Sequence, residues 1–301
     1  MVVCAGVFGC SSKKDVGQRA VVHKKLHVVA TTSIIADTIK NIGKEHLAVE
    51  ALMGPGVDPH LYKASPGDIS MMNKADLILY NGLHLEGKMS DVLEKLGRKK
   101  STYAIAQPIP KEKLLYPSVG EGLPDPHIWM DVKLWVQTIE PLAKRLGELD
   151  PEHKLDYIKT AEVYKKQLEQ LDQESRQKVQ TIPIGQRILI TAHDAFRYFG
   201  KAYGVQVLGV QGISTESEAG LKEINGLVGL IVQHHLPAVF IESSVSPKNV
   251  EALLEGAKSR GATVKLGGEL YSDALGEKGT PEGTYTGMIQ HNVKTIVEAL
   301  Q

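Results

Sequence analysis

Cysteine is almost absent from this chain of 301 residues: the two present, Cys4 and Cys10, both fall within the first ten. The body of the protein can therefore hold neither a disulfide framework nor a thiolate metal site. An excess of charge is missing as well, because 35 Lys and Arg balance 35 Asp and Glu. Binding to nucleic acid by counterion release needs a basic surface, so nucleic acid is not expected as a partner, and there is no acidic tail. The apolar opening, residues 1–10, falls well short of the roughly 20 residues that a membrane-spanning helix requires. Several catalytic signatures are also lacking: a His-Glu-x-x-His pair, a Gly-x-Ser-x-Gly elbow and a Walker-type phosphate loop.

What is present has the balance of a globular protein, 42% hydrophobic and 23% charged, with enough chain for two modest domains at about 100 to 200 residues each. Val7-Phe8-Gly9-Cys10, followed by Ser11-Ser12-Lys13-Lys14, reads as the tail of a lipoprotein signal with a lipid anchor on Cys10. It carries a bulky Phe8 and an upstream part without the usual positive charges. Residues 11–24 read as a polar linker. From residue 26 short β-branched runs alternate with helical stretches, the pattern of parallel α/β layers. Strands are expected at 26–32, 46–53, 76–80 and 102–106, with helices at 34–42 and 66–74. A second set of strands is expected at 187–191, 205–210, 238–241 and 262–266, closed by a helix over 283–300.

Between these sets, residues 151–180 contain no glycine, and no proline after the first position. Leu155, Ile158, Ala161, Tyr164, Leu168 and Leu171 recur every three or four residues, which predicts one long amphipathic helix, either a connector between lobes or a dimerisation arm. The expected organisation is a signal remnant and linker (1–25), an N-terminal α/β lobe (26–147), a connecting helix (148–181) and a C-terminal α/β lobe (182–301). The fold class is α/β: two lobes, each a small parallel sheet flanked by helices.

Asp-Pro-His occurs twice, at Asp58-Pro59-His60 and Asp125-Pro126-His127. Proline fixes its own backbone and pushes the preceding residue to an extended form, so each histidine is presented on a stiffened loop, as a preorganised ligand would be. His193 falls where the strand at 187–191 gives way to a helix, and ligands of parallel α/β units gather at strand carboxyl ends. It reads either as a ligand or as a structural histidine. Asp273 lies in another strand's exit loop and reads as a ligand or as a cap or turn residue. Asp194 and Glu242 read as acceptors that orient an imidazole or as helix N-caps. His46, His84, His153, His234, His235 and His291 are expected at the surface. Trp129 and Trp135 are expected to be packing residues, and Glu86 an exposed surface acid.

The segments Leu52 to Tyr62, Ala75 to Glu86, Asp125 to Asp131, Thr191 to Phe196 and Tyr271 to Ala274 together resemble the TroA/ZnuA family of extracytoplasmic metal receptors, the solute-binding proteins of ABC importers. The resemblance runs from about residue 26 to the end. It implies a pair of four-stranded parallel lobes bridged by one helix, with one Zn²⁺ or Mn²⁺ held by His60, His127, His193 and Asp273. It also implies a monomer that delivers the ion to a membrane permease driven by its ATPase subunit. Three imidazoles and a carboxylate suit either metal. Histidine at position 193, where adhesin-type manganese receptors of the family carry glutamate, points to zinc. The missing His-rich and acid-rich loop of dedicated zinc receptors points the other way. Four protein ligands close the shell that catalytic zinc leaves open to water. The alternatives are a metal-dependent hydrolase and a helix-bridged receptor for a metal chelate, and an adhesin role would be compatible with metal binding.

Overall fold

The computed structural model describes residues 1–3, 24–117 and 122–301. The expected lipoprotein signal and most of its linker lie outside the described residues. The first lobe is built on a fully parallel sheet ordered β2-β1-β3-β4, from β1 (Leu26–Ala30), β2 (Leu47–Ala51), β3 (Leu77–Tyr80) and β4 (Thr102–Ala104). Val28, Val29, Ala30, Leu77, Ile78 and Leu79 are all buried, as expected for central parallel strands covered on both faces. Helix α1 (Ser33–Gly43) starts where the Thr32 hydroxyl accepts the Ile35 N–H. Helix α2 (Pro66–Lys74) starts at a reciprocal capping box between Ser65 and Asp68, with proline in its first turn. Helix α3 (Ser90–Gly97) and the longer α4 (Val132–Leu149), capped by Asp131, complete the layer.

Helix α5 (Lys154–Val179) is the long connector, preceded by a single 3₁₀ turn. Its buried stripe is Tyr157, Ala161, Tyr164, Leu168, Leu171, Ser175 and Val179. Leu155 (79% exposed) and Ile158, both expected in that stripe, face solvent instead. At the start of the helix Tyr157 points inward and donates to Asp150, which turns its two apolar neighbours outward. Helix α5 packs against α1 and α4 of the first lobe and α9 of the second, as a connector would; a dimerisation arm is not needed to cover its stripe.

The second lobe contains β5 (Ile188–His193), α6 (Arg197–Tyr203), β6 (Gln206–Gln211), α7 (Leu221–His234), β7 (Ala238–Glu242), α8 (Lys248–Ser259), β8 (Lys265–Leu270) and α9 (Tyr285–Leu300). The resemblance implies four strands in one sheet. Among the described residues they form two parallel pairs, β5-β6 and β7-β8, with β5 lying beside β7. At the end of β5, the His193 N–H is taken by the Glu242 side chain and not by a backbone carbonyl, so a carboxylate joins the two pairs there.

Strand β8 also starts later and runs farther than the expected 262–266. It passes through Gly267 and Gly268, where the Phe240 ring packs so closely that a Cβ at residue 267 would sit 2.6 Å from it. Glycine here is a strand residue admitting a neighbour, not the start of the exit loop. One hydrophobic core runs through α1, α4, α5, α6 and α9 and includes residues of both lobes, among them Trp135, Phe196, Phe199, Tyr285 and Met288. A large apolar contact of this kind restricts relative motion of the lobes.

Candidate metal centre

Four side chains converge between the lobes, at carboxyl ends of strands and in the loops beyond them: His60, His127, His193 and Asp273. One ligand atom from each lies within 4.8 Å of all the others, and all four residues are buried. His60 and His127 come from the first lobe, His193 and Asp273 from the second. His193 is the last residue of β5 and not part of the following loop.

His127 is the hub. Its Nε2 lies 3.3 Å from His60 Nε2, 3.4 Å from His193 Nε2 and 3.4 Å from Asp273 Oδ1. Asp273 Oδ2 is 3.3 Å from His193 Nε2 and 3.9 Å from His60 Nε2. A tetrahedral ion with bonds of about 2.0 to 2.1 Å has edges of about 3.3 to 3.4 Å between its ligands. Most of these separations match that figure. Among the described residues, neither oxygen of the buried Asp273 carboxylate has a hydrogen-bond donor. A buried carboxylate is costly unless paired, and a cation between these four groups would pair it. The donor set, nitrogen and carboxylate without sulfur, fits a borderline divalent transition metal.

The imidazoles are aimed by carboxylates behind them. His127 Nδ1 donates to Asp125 Oδ1 over 2.8 Å, and the same oxygen accepts the His127 backbone N–H. His193 Nδ1 donates to Glu242 Oε2 over 2.6 Å, and Glu242 Oε1 accepts the His193 N–H. In both rings Nε2 is thereby turned toward the cluster. At His60 the pattern is thinner: Asp58 Oδ1 accepts the backbone N–H over 2.8 Å. Asp58 and Asp125 went unrecognised in the sequence. The visible signal was the aspartate two residues before each histidine, the spacing of a side-chain-to-backbone turn. Glu242 is the acceptor expected of it. Asp194 is not: its nearest ionic partner is Arg197, at 3.6 Å.

Electrostatics divide the three histidines. Burial pushes His60 down to about 3. Burial also acts downward on His127, but its hydrogen bond to Asp125 and the facing charge of Asp273 carry it up to about 9. For His193, burial is outweighed by the charges of Glu242 and Asp273, which hold it well above the usual range. Burial would raise Asp273, yet the facing His193 and His127 keep its carboxyl well below the ordinary carboxylate value. The Asp273 carboxylate and the two imidazoles facing it thus favour positive charge at the centre of the cluster.

Glu86, expected as an exposed acid, is 3% exposed. Its carboxylate accepts from the Thr31 hydroxyl and from the Asn81 and Gly82 N–H groups. Gly82, Leu83 and His84 all have positive φ, and this left-handed turn folds Glu86 back over the ends of β1 and β3. Asn81, held there, donates to the Pro126 carbonyl beside His127. Glu86 thus supports the cluster from behind and is not available to a partner. Trp129 is buried as expected, and its Nε1–H donates to the Ser272 carbonyl next to Asp273, tying the lobes together. Trp135 is buried against Thr38. The histidines expected at the surface are exposed or half-buried and stand outside the cluster.

Parallel lobes bridged by one helix, with a buried three-histidine, one-carboxylate cluster between them, define a class of extracytoplasmic solute receptor. The chain belongs to the ZnuA family, "Zinc-uptake complex component A periplasmic", whose family model matches residues 28–299. It is 51% identical over 279 residues to the manganese-binding lipoprotein MntA of Bacillus subtilis, covering 92% of this chain and 90% of that one. It is 48% identical to the zinc-binding protein TroA of Treponema pallidum, covering 91% and 88%. The manganese ABC transporter substrate-binding lipoprotein PsaA of Streptococcus mitis is 33% identical, covering 100% and 94%. The solved structure of periplasmic TroA from Treponema pallidum superposes with a TM-score of 0.89, covering 92% of this chain and 99% of that one.

Proposed function

We propose that this protein is the extracytoplasmic solute-binding component of a metal ABC importer, taking one Zn²⁺ or Mn²⁺ between its lobes and handing it to the permease and ATPase. The observation that carries this is the buried Asp273 carboxylate, without a hydrogen-bond donor among the described residues, facing the Nε2 atoms of His127 and His193 at tetrahedral spacing and that of His60 at 3.9 Å. His60, His127, His193 and Asp273 are the ligands. The lobes span 26–147 and 182–301, with 148–181 as connector. Relatives named lipoproteins support an anchor at Cys10, and the covered stripe of α5 supports action as a monomer.

Carriage is favoured over catalysis because four protein donors leave no position for an attacking water. A chelate receptor is disfavoured because buried imidazoles spaced for a bare ion leave no room for a chelator. Zinc and manganese both remain as cargo, since relatives named for each align over nine-tenths of this chain. Isothermal titration of metal-stripped protein with Zn²⁺ and Mn²⁺ tests the reading. One site per chain, filled by at least one of the two ions, is expected; no saturable binding of either would overturn it.

A further inference from the structure

The four ligands are buried, so an ion cannot leave until something moves. His60 is the ligand nearest solvent: it retains 3% exposure and Leu61 beside it is 49% exposed, whereas Ile128, Trp129 and Met130 after His127 are all buried. The way in and out therefore lies on the side of the loop over residues 54–60. Two segments of the second lobe close over that loop. Gly56, at φ 68°, approaches the Ser243 carbonyl so closely that a Cβ would sit 3.3 Å from it. The loop over 212–220, between β6 and α7, sends the buried Thr215 hydroxyl to Asp58 Oδ2 over 2.5 Å. The other oxygen of the same carboxylate holds the His60 N–H. A third contact, Lys88 Nζ to Glu216 Oε1 at 2.9 Å, joins the same loop to the first lobe, but both side chains are more than a third exposed and such pairs contribute little.

We propose that Thr215 is a positioning residue for the metal site: through Asp58 it holds the His60 ligand in place from the opposite lobe, and breaking this contact opens the way by which the ion leaves. The chain of contacts is Thr215 hydroxyl, Asp58 carboxylate, His60 backbone, imidazole. Asp125 is also reached from the second lobe, by Arg197 Nη1 at 3.6 Å from Oδ2 and by the Tyr198 hydroxyl at its backbone carbonyl, but Asp125 and Glu242 bind their imidazole nitrogens directly, whereas Asp58 holds only the His60 backbone. The loop over 212–220 is accordingly the gate, and its hold on the site is a charge-assisted hydrogen bond from the buried Thr215 to the half-buried Asp58 carboxylate.

The inference rests on the metal-binding reading, and the experiment separates the two. Full-length protein is loaded with Zn²⁺ and mixed rapidly with excess chelator, and the rate of zinc release is followed. Thr215→Val, which deletes the hydroxyl at nearly constant shape, is expected to release zinc about ten- to a hundredfold faster. Thr215→Ser is expected to restore a rate within about threefold of the parent, which a packing role for the threonine methyl would not do. Equal thermal unfolding of the metal-free variants separates gating from loss of fold, and Thr215→Ala replaces the valine variant if that one does not fold. Release at the parent rate from Thr215→Val, or equal acceleration in Thr215→Ser, overturns the proposal. If the parent chain retains no zinc or manganese at all, the functional reading falls and takes this one with it.

Discussion

The two Asp-Pro-His loops share a tripeptide and do different work. At residues 125–127 the aspartate turns inward, accepts both the backbone N–H and Nδ1 of His127, and fixes the ring at the centre of the cluster. At residues 58–60 the aspartate accepts the His60 N–H with one oxygen and reaches across to Thr215 with the other. Both loops are touched by the opposite lobe, Asp125 by Arg197 and Tyr198 and Asp58 by Thr215, but residues 125–127 are fully buried while Asp58 is half-buried. Proton affinity divides the same way, with His60 held down to about 3 and His127 carried up to about 9. The same local turn can therefore fix a ring or only its backbone, according to whether the first carboxylate oxygen takes the imidazole as well as the N–H, as at Asp125, or the N–H alone, as at Asp58.

The largest expected effect comes from removing the hub. His127 Nε2 makes close approaches to the other three members of the cluster, so His127→Ala should weaken metal binding more than His60→Ala, by titration calorimetry. Structural zinc sites are worth roughly 10 to 16 kcal/mol over four ligands, so losing one should cost about a hundredfold or more. Equal losses at both positions would break the comparison.

Next is the pH profile. To bind a metal, His127 and His193 must each give up a proton that the metal-free cluster holds more tightly than a free imidazole does. Affinity should therefore fall by at least about tenfold per pH unit on acidification, starting near pH 9 and not near the usual imidazole value of about 6.5. His60, already neutral, should contribute nothing to this slope. Asp125→Asn removes one cause of the elevation, so the fall should begin at lower pH, while affinity at neutral pH drops about ten- to a hundredfold through the loss of orientation. Calorimetry in buffers of different ionisation enthalpy counts the protons released; an Asp125→Asn profile identical to the parent's would contradict the assignment.

Smaller effects are expected at the gate. Asp58→Asn should act mainly on the release rate, by about tenfold. Glu216→Gln should change that rate by less than about threefold, and the difference should vanish in high salt, as for an exposed ion pair. A Glu216→Gln effect larger than that of Asp58→Asn would move the gate's main contact from Thr215 to the surface pair.

Much of this architecture was legible from residue pattern. The β-branched runs located the strands of both lobes to within a few residues, and the apolar spacing found α5, because burial on both faces and helical period leave local marks. The four converging residues were all nominated from loop position, motif echo and family resemblance. What escaped depended on contacts between distant segments. Glu86 has no local feature that distinguishes a buried carboxylate from a surface one; three positive-φ residues turn it inward. Asp58 and Asp125 were read for what proline does to them and not for their own reach to the following histidine. The run of β8 past residue 266 was hidden by Gly267 and Gly268, of which the first admits the Phe240 ring and the second lies against Thr295.

The central claim, one transition-metal ion held jointly by both lobes, is tested most directly by equilibrium dialysis of stripped protein against Zn²⁺ and against Mn²⁺, followed by elemental analysis of the parent chain and of Asp273→Asn. The account predicts one ion per parent chain and far less than one in the variant, with both chains equally folded by circular dichroism. Parent protein without metal, or a variant that retains a full equivalent, would contradict it.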